Sequence, residues 1–275
     1  MLAATLALCS SLVWGVADFA GGILVRRHPV ATISVLSHAA GLLGLTVVEG
    51  FVGLNRTAFL LGLAAGGFGA VSLYTFYKAM ALGTMSIISP LLSLGSVLAF
   101  GLAVAGGERP SPLALLGALI ALAGAVLASL GEHASGGARR TALGWGLAAP
   151  LALGFYLYLL ARGANEGGTV SAVFGARTTS SLLLLTLALA LRSPFRIGRS
   201  ALAAVSVIGL IASASLVLFG YATRLGLISI TTILASLYPV VTVLLAHLFV
   251  GERLRGSQLA GVTLALGGVV LVTAG

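Results

Sequence analysis

The last fifty residues of this chain repeat a stretch written earlier, and this duplication constrains the fold more than any other feature. From Leu225 the sequence reads LGLISITTILASLYPVV; from Leu82 it reads LGTMSIISPLLSLGSVL. At an offset of 143, Ser86 pairs with Ser229, Ser93 with Ser236 and Val97 with Val240. One inserted residue then moves the offset to 144. Gly107-Glu108-Arg109 pairs with Gly251-Glu252-Arg253, Gly117 with Gly261 and Gly124 with Gly268. A repeat spaced at about half the chain marks a duplicated half, not a short solenoid unit.

Each half is written for lipid. Of 275 residues 59% are hydrophobic and 8% charged, with mean hydropathy +1.15; soluble domains carry about 25% charged residues. A membrane-spanning helix needs about 20 mostly apolar residues. Ten such runs are present, at 2–24, 31–53, 58–79, 85–106, 112–130, 142–161, 169–191, 201–223, 228–250 and 256–274. The expected fold is therefore all-α and polytopic. Residues 1–130 form one five-helix repeat, 131–141 a Gly/Ser-rich linker, and 142–275 a second repeat. Five is odd, so the second half enters the membrane from the opposite side and a direct duplication becomes an inverted repeat. That arrangement is found in secondary transporters, with the substrate site in a central cavity near the midplane.

The 15 Lys and Arg against 6 Asp and Glu lie mostly between the apolar runs. This distribution points to orientation in the bilayer rather than to a nucleic-acid partner. With a cytoplasmic N-terminus the inner loops would hold Arg56, Arg109, Arg162 and Arg224, and the outer loops ten Lys and Arg residues. The positive-inside rule reverses that placement and puts both termini outside. The single cysteine, Cys9, rules out an internal disulfide and a cysteine metal cage.

Ionisable groups inside spans cost about 2.5–3.5 kcal/mol on insertion scales and are functional candidates by default. Asp18 is the one acid well inside a run. It shares a helix face with Trp14 and Ser11, as a candidate proton-coupling carboxylate or partner for a substrate amine. The plainer reading is a carboxylate that reaches the interface or pairs with an arginine. Arg177 in the seventh run and His38 in the second occupy similar depths in equivalent helices. Arg177 suits a carboxylate, which it can hold bidentately, and is alternatively a structural partner of Asp18 or a side chain that snorkels to the interface. His38 is a second candidate proton carrier or a packed core residue. Tyr74, Tyr156 and Tyr238 supply an amphipathic or cation–π wall; Tyr77 and Lys78 read as interfacial. Pro90 and Pro239 kink the fourth and ninth runs. Their matched stripes, Ser86, Ser89 and Ser93 against Ser229, Thr232 and Ser236, are candidates for cavity lining. Gly117 with Gly124, and Gly261 with Gly268, mark close helix packing.

There is no Walker-type glycine loop, no H-E-x-x-H and no G-x-S-x-G, so neither direct ATP use nor hydrolysis is indicated. No cofactor or metal site is expected, and the chain does not read as an enzyme.

Tyr238-Pro239, Gly251-Glu252-Arg253-Leu254, Gln258, Gly261 and Gly267-Gly268 together resemble the EamA module of the drug/metabolite transporter superfamily. Gly107-Glu108-Arg109, Gly117 and Gly124 repeat the pattern less fully, with Ser96 where the module has a proline. Trp14-Gly15, Asp18-Phe19 and Gly21-Gly22 are similar to the family's first-helix signature, with an acid near its usual amide. The resemblance implies secondary transport of small metabolites, most often export of amino acids or related compounds. The expected setting is a multi-pass protein of the plasma (inner) membrane, as monomer or homodimer, with the lipid bilayer, a small molecule and protons as partners. Uptake of a metabolite, and a non-transport scaffold or scramblase, stand as alternatives. On the leading reading Trp14, Asp18, His38, Tyr74, Tyr156, Arg177 and Tyr238 bind substrate, and Asp18 and His38 carry the proton.

Overall fold

A computed structural model of the chain describes residues 2–83, 85–129, 137–251 and 256–274. Glu252, Arg253, Arg255 and residues 131–136 lie outside this set, as do the side chains of Ser86, Pro90, Arg139, Arg140 and Gln258. The described chain is helical: α1 (Leu2–Val25), α2 (Val30–Val52), α3 (Arg56–Leu82), α4 (Met85–Leu92), α5 (Leu94–Ala105), α6 (Pro112–Ser129), α7 (Gly137–Asn165), α8 (Thr169–Ala190), α9 (Arg199–Leu225), α10 (Ile228–Ala235), α11 (Tyr238–Leu245), a π-helical turn (Ala246–Val250) and α12 (Gly256–Ala274). The helix α7 begins inside the stretch read as linker. Among the described residues seven helical segments are long and apolar enough to cross a membrane, and shorter apolar helices lie at 94–105, 112–121 and 259–268. These are the ten spans, the fourth built from α4 and α5 and the ninth from α10, α11 and the π turn.

The helix pairings are unchanged when the halves are exchanged. The helix α3 packs on α8 as α9 packs on α2, α1 packs on α9 as α7 packs on α3, and α5 packs on α7 as α11 packs on α1. The pairs α2–α8 and α6–α12 map onto themselves. Glycine contacts give the register. The Cα of Gly66 lies on the carbonyl oxygen of Ala176, and that of Gly209 lies on the carbonyl oxygen of Ser37. Gly124 rests on Gly261 and Ala265, and Gly268 rests on Gly117 and Ala121. Lipid tails are as apolar as leucine, so close backbone approach at small residues is what holds such helices together. The glycine faces of α6 and α12 are therefore spent on each other.

The two broken spans break at equivalent residues, Ser93 and Ser236. Proline does not set the position. Pro239 lies in the first turn of α11, where its missing N–H costs nothing, and Ser96 stands at the matching place in α5. Among the described residues, none of the serine and threonine stripes lines the cavity between the halves. Ser89, Ser229 and Thr232 are fully buried in helix packing. Thr231 donates to the Leu227 carbonyl, Ser236 to that of Ile233, and Thr242 to those of Gly15 and Tyr238.

The face that carries both chain ends and the loops near 53–55, 106–111 and 166–168 is tied by polar contacts between the halves. The Ser171 hydroxyl donates to Glu49 Oε1 at 2.5 Å and accepts from the Asn55 N–H at 3.0 Å. Asn55 Nδ2 donates to the Glu166 carbonyl. The Glu108 carboxylate accepts from the N–H groups of Ile228 and Ser229 at 2.8 and 2.9 Å. Deeper in, Ser10 and Ser215 exchange hydroxyl-to-carbonyl hydrogen bonds across α1 and α9.

Candidate functional site

Between the halves lies a cavity that opens through a mouth; cavity, mouth and adjoining solvent together come to about 630 Å³ free of protein atoms. Its walls come from α1, α2, α3, α4, α7, α8 and α9. Leu73, Phe76, Leu92, Leu153, Ile208 and Leu216 make it largely apolar, and Trp14, Asp18, His38, Tyr77, Tyr156 and Arg177 bring the chemistry. The residues from α2 and α3 lie toward the end of the bundle that carries loop 26–29. The other end is the one closed by the Glu49, Asn55 and Glu108 contacts.

The glycine register makes His38 and Arg177 equivalent positions, and the structure joins them. Arg177 Nη1 lies 2.7 Å from His38 Nε2, with both side chains buried. A guanidinium has donors only, so Nε2 is the acceptor and the ring proton sits on Nδ1. Arg177 Nε is buried with no hydrogen-bond partner among the described residues. Arg177 forms no ion pair with Asp18 within 4.0 Å, so the expectation of a structural Asp18–Arg177 pair is corrected.

Asp18 sits across the cavity on α1, one turn after Trp14, whose indole N–H donates to it. Its Oδ2 is buried without a hydrogen-bond partner among the described residues. Tyr77 stands within electrostatic range of both Asp18 and Arg177, its hydroxyl packed against Gly21, three residues beyond Asp18. Any side chain at Gly21 would collide with that phenol.

Of the seven residues named from sequence, Trp14, Asp18, His38, Tyr156 and Arg177 line the cavity. Tyr156 lies flat against Gly69, where an added Cβ would be 2.9 Å from the ring. Tyr238 stands behind the wall. It stacks on Trp14 with centroids 5.0 Å apart and planes at 17°, and its buried hydroxyl has no partner among the described residues. Tyr74 points elsewhere, edge-on to Trp145 at 6.3 Å. Tyr77, read as interfacial, is 2% exposed and belongs to the site. The spacing of Gly69, Leu73, Phe76 and Tyr77 along one face of α3 is the signal that marks it.

The two halves contribute unlike chemistry. In the glycine register Gly15 and Gly154 make equivalent contacts, against Tyr238 and Val241 and against Gly95 and Leu98. Trp14 and Asp18 then correspond to Leu153 and Leu157, Tyr77 to Gly220 and Tyr238 to Gly95. The acid and its aromatic partners therefore have no counterpart in the second half.

The family model described as the EamA-like transporter family matches residues 1–130 and 140–274. Solved structures match the fold. One, described as "Crystal structure of protein", is similar at 20% identity and TM-score 0.76, over 99% of this chain and 96% of its own. No curated protein matches the sequence.

Proposed function

The chain belongs to the EamA-like transporter family, and on that premise we propose that this membrane transporter moves a small zwitterionic metabolite, an amino acid or a related compound, by alternating access. One observation carries the reading. A guanidinium and a carboxyl face one apolar-walled cavity from opposite halves, and neither has an ion-pair partner among the described residues. Buried charges are ordinarily paired; a substrate with an ammonium and a carboxylate would pair both. Asp18 takes the ammonium, Arg177 the carboxylate, and Trp14, Phe76 and Leu153 the apolar remainder. Tyr77 spans the gap between the poles.

The transport direction that fits the family resemblance is export across the plasma (inner) membrane, with Asp18 and His38 as the groups that exchange protons during the cycle. Proteoliposomes test this. Asp18→Asn keeps the shape of the side chain and removes the charge, so reconstituted flux of an amino acid that stabilises the purified protein is expected to vanish while expression and melting temperature hold. Wild-type flux through Asp18→Asn, or exchange of lipid between leaflets with no response to any zwitterion, would sink the reading.

A further inference from the structure

We propose that His38 is a resident stand-in for the ligand's carboxylate, so that binding a carboxylate at Arg177 makes His38 take up a proton. This rests on the reading of the cavity as a binding site for a carboxylate-bearing metabolite, and adds to it the route by which binding and protonation are linked.

The argument starts from donors and acceptors. In the free protein Arg177 Nη1 donates to the lone pair on His38 Nε2, so a cation without an acidic partner is held by a neutral base. The pair is buried where α2 meets α8, two helices that are each other's equivalents. A ligand carboxylate is the better acceptor, because it brings a full negative charge and two oxygens that can take parallel N–H bonds from the guanidinium, where the neutral ring offers one lone pair. When it takes the Arg177 N–H, the bond to Nε2 breaks. The freed lone pair then faces a carboxylate oxygen, acceptor against acceptor, at a buried position, and a buried acceptor without a donor costs free energy. A proton from water on Nε2 removes that conflict: the imidazolium N–H donates to the second carboxylate oxygen. The bond broken is Arg177 N–H to Nε2. Those formed are Arg177 N–H to carboxylate and Nε2–H to carboxylate. The site holds one positive charge before and after, since ligand anion and proton arrive together.

The surroundings permit this. The titratable groups that share the cavity with His38 are Arg177 from α8, Asp18 from α1, Tyr77 from α3 and Tyr156 from α7, while α9 adds Ile208, Gly209, Ala212 and Leu216. On its own helix the neighbour is Ser34, whose backbone lies near the ring, while Nδ1 is buried with no hydrogen-bond partner among the described residues. Asp18 shares the cavity, but among the described residues no carboxylate is bonded to the imidazole, so the charge that summons the proton comes with the ligand.

The test uses the purified full chain in detergent, with acetate as the carboxylate probe and methylammonium as its control. Nitrogen-15 spectra of histidine-labelled protein, with the His38 signal assigned by its absence from His38→Gln, are expected to show a neutral ring protonated at Nδ1 in free protein. Saturating acetate converts it to imidazolium, and a pH indicator in weak buffer records uptake approaching about one proton per acetate, the linkage expected when two ligands favour one state. Methylammonium causes neither change, and His38→Gln binds acetate without uptake. A free-protein signal protonated at Nε2, or equal proton uptake by wild type and His38→Gln, overturns the proposal and leaves the carboxylate site standing. Failure of wild type to bind acetate overturns the carboxylate site itself, and the proposal with it.

Discussion

Trp14 of the first half and Tyr238 of the second lie face to face, 5.0 Å between ring centroids, and the Tyr238 hydroxyl finds no partner among the described residues. The ring does the packing and the oxygen is a buried, unsatisfied group. Tyr238→Phe is expected to match or exceed wild-type thermal stability and to transport normally. Tyr238→Ala removes the stacked ring and is expected to lose about 3–5 kcal/mol, the usual cost of deleting a buried aromatic. Melting curves with and without a bound amino acid separate the two. A Tyr238→Phe protein that folds but no longer transports would place the hydroxyl on the substrate.

Gly66 and Gly67 sit side by side in α3 and should respond oppositely to one methyl group. At Gly66 an added Cβ would run into the Ala176 carbonyl, whereas at Gly67 nothing lies within 4 Å. Gly66→Ala is expected to cost about 1–3 kcal/mol or more through overpacking. Gly67→Ala should gain a few tenths up to about 1 kcal/mol from helix propensity. Unfolding in mixed micelles reads both, and equal effects at the two sites would refute the glycine register.

The Glu108 carboxylate serves the first two N–H groups of α10, which belongs to the other half. A negative charge is favoured there by the aligned peptide dipoles. Glu108→Gln keeps the size and loses the charge; hydrogen bonds to a charged group are worth about 1.5–3 kcal/mol. Amide exchange at Ile228 and Ser229 should accelerate in the variant while exchange in α2 and α8 stays slow. Unchanged protection at both amides would show that the contact carries no weight.

Orientation can be read with one cysteine. In a Cys9→Ala background, Ser111→Cys marks the face with both termini and Ser193→Cys the opposite one. If the arginine-rich loops are cytoplasmic, an impermeant maleimide labels Ser111→Cys in intact cells and spares Ser193→Cys. The reverse pattern would invert the assignment.

The spans were legible in the sequence because apolar runs of about 20 residues have one physical solution in lipid. Their inversion followed from an odd helix number in a duplicated half. The site was legible in part. Asp18, Arg177 and His38 announced themselves as charges or bases inside apolar runs, and Trp14 by its helical spacing from Asp18. Tyr77 did not, because it lies two residues from the end of the run read at 58–79, where tyrosine is common at the interface. The helix continues to Leu82, which carries Tyr77 inward. The breaks at Ser93 and Ser236 were displaced from the prolines for a similar reason: the repeat, not the residue lacking an N–H, decides where the span turns. The His38–Arg177 contact could not be read at all. It depends on how far α2 and α8 slide past each other, and that is decided by Gly66 and Gly209 meeting backbone on helices far away in sequence.

A motion that exchanges the roles of two related halves displaces everything except what lies on the axis relating them. His38 and Arg177 meet across that line, one from each half. The contacts of Glu49, Glu108 and Asn55 lie at one end of the bundle, where such a motion has its largest travel. If the protein works by the proposed alternating access, the imidazole–guanidinium pair stands at the fulcrum. A molecule held there changes the side from which it is seen without itself being carried far.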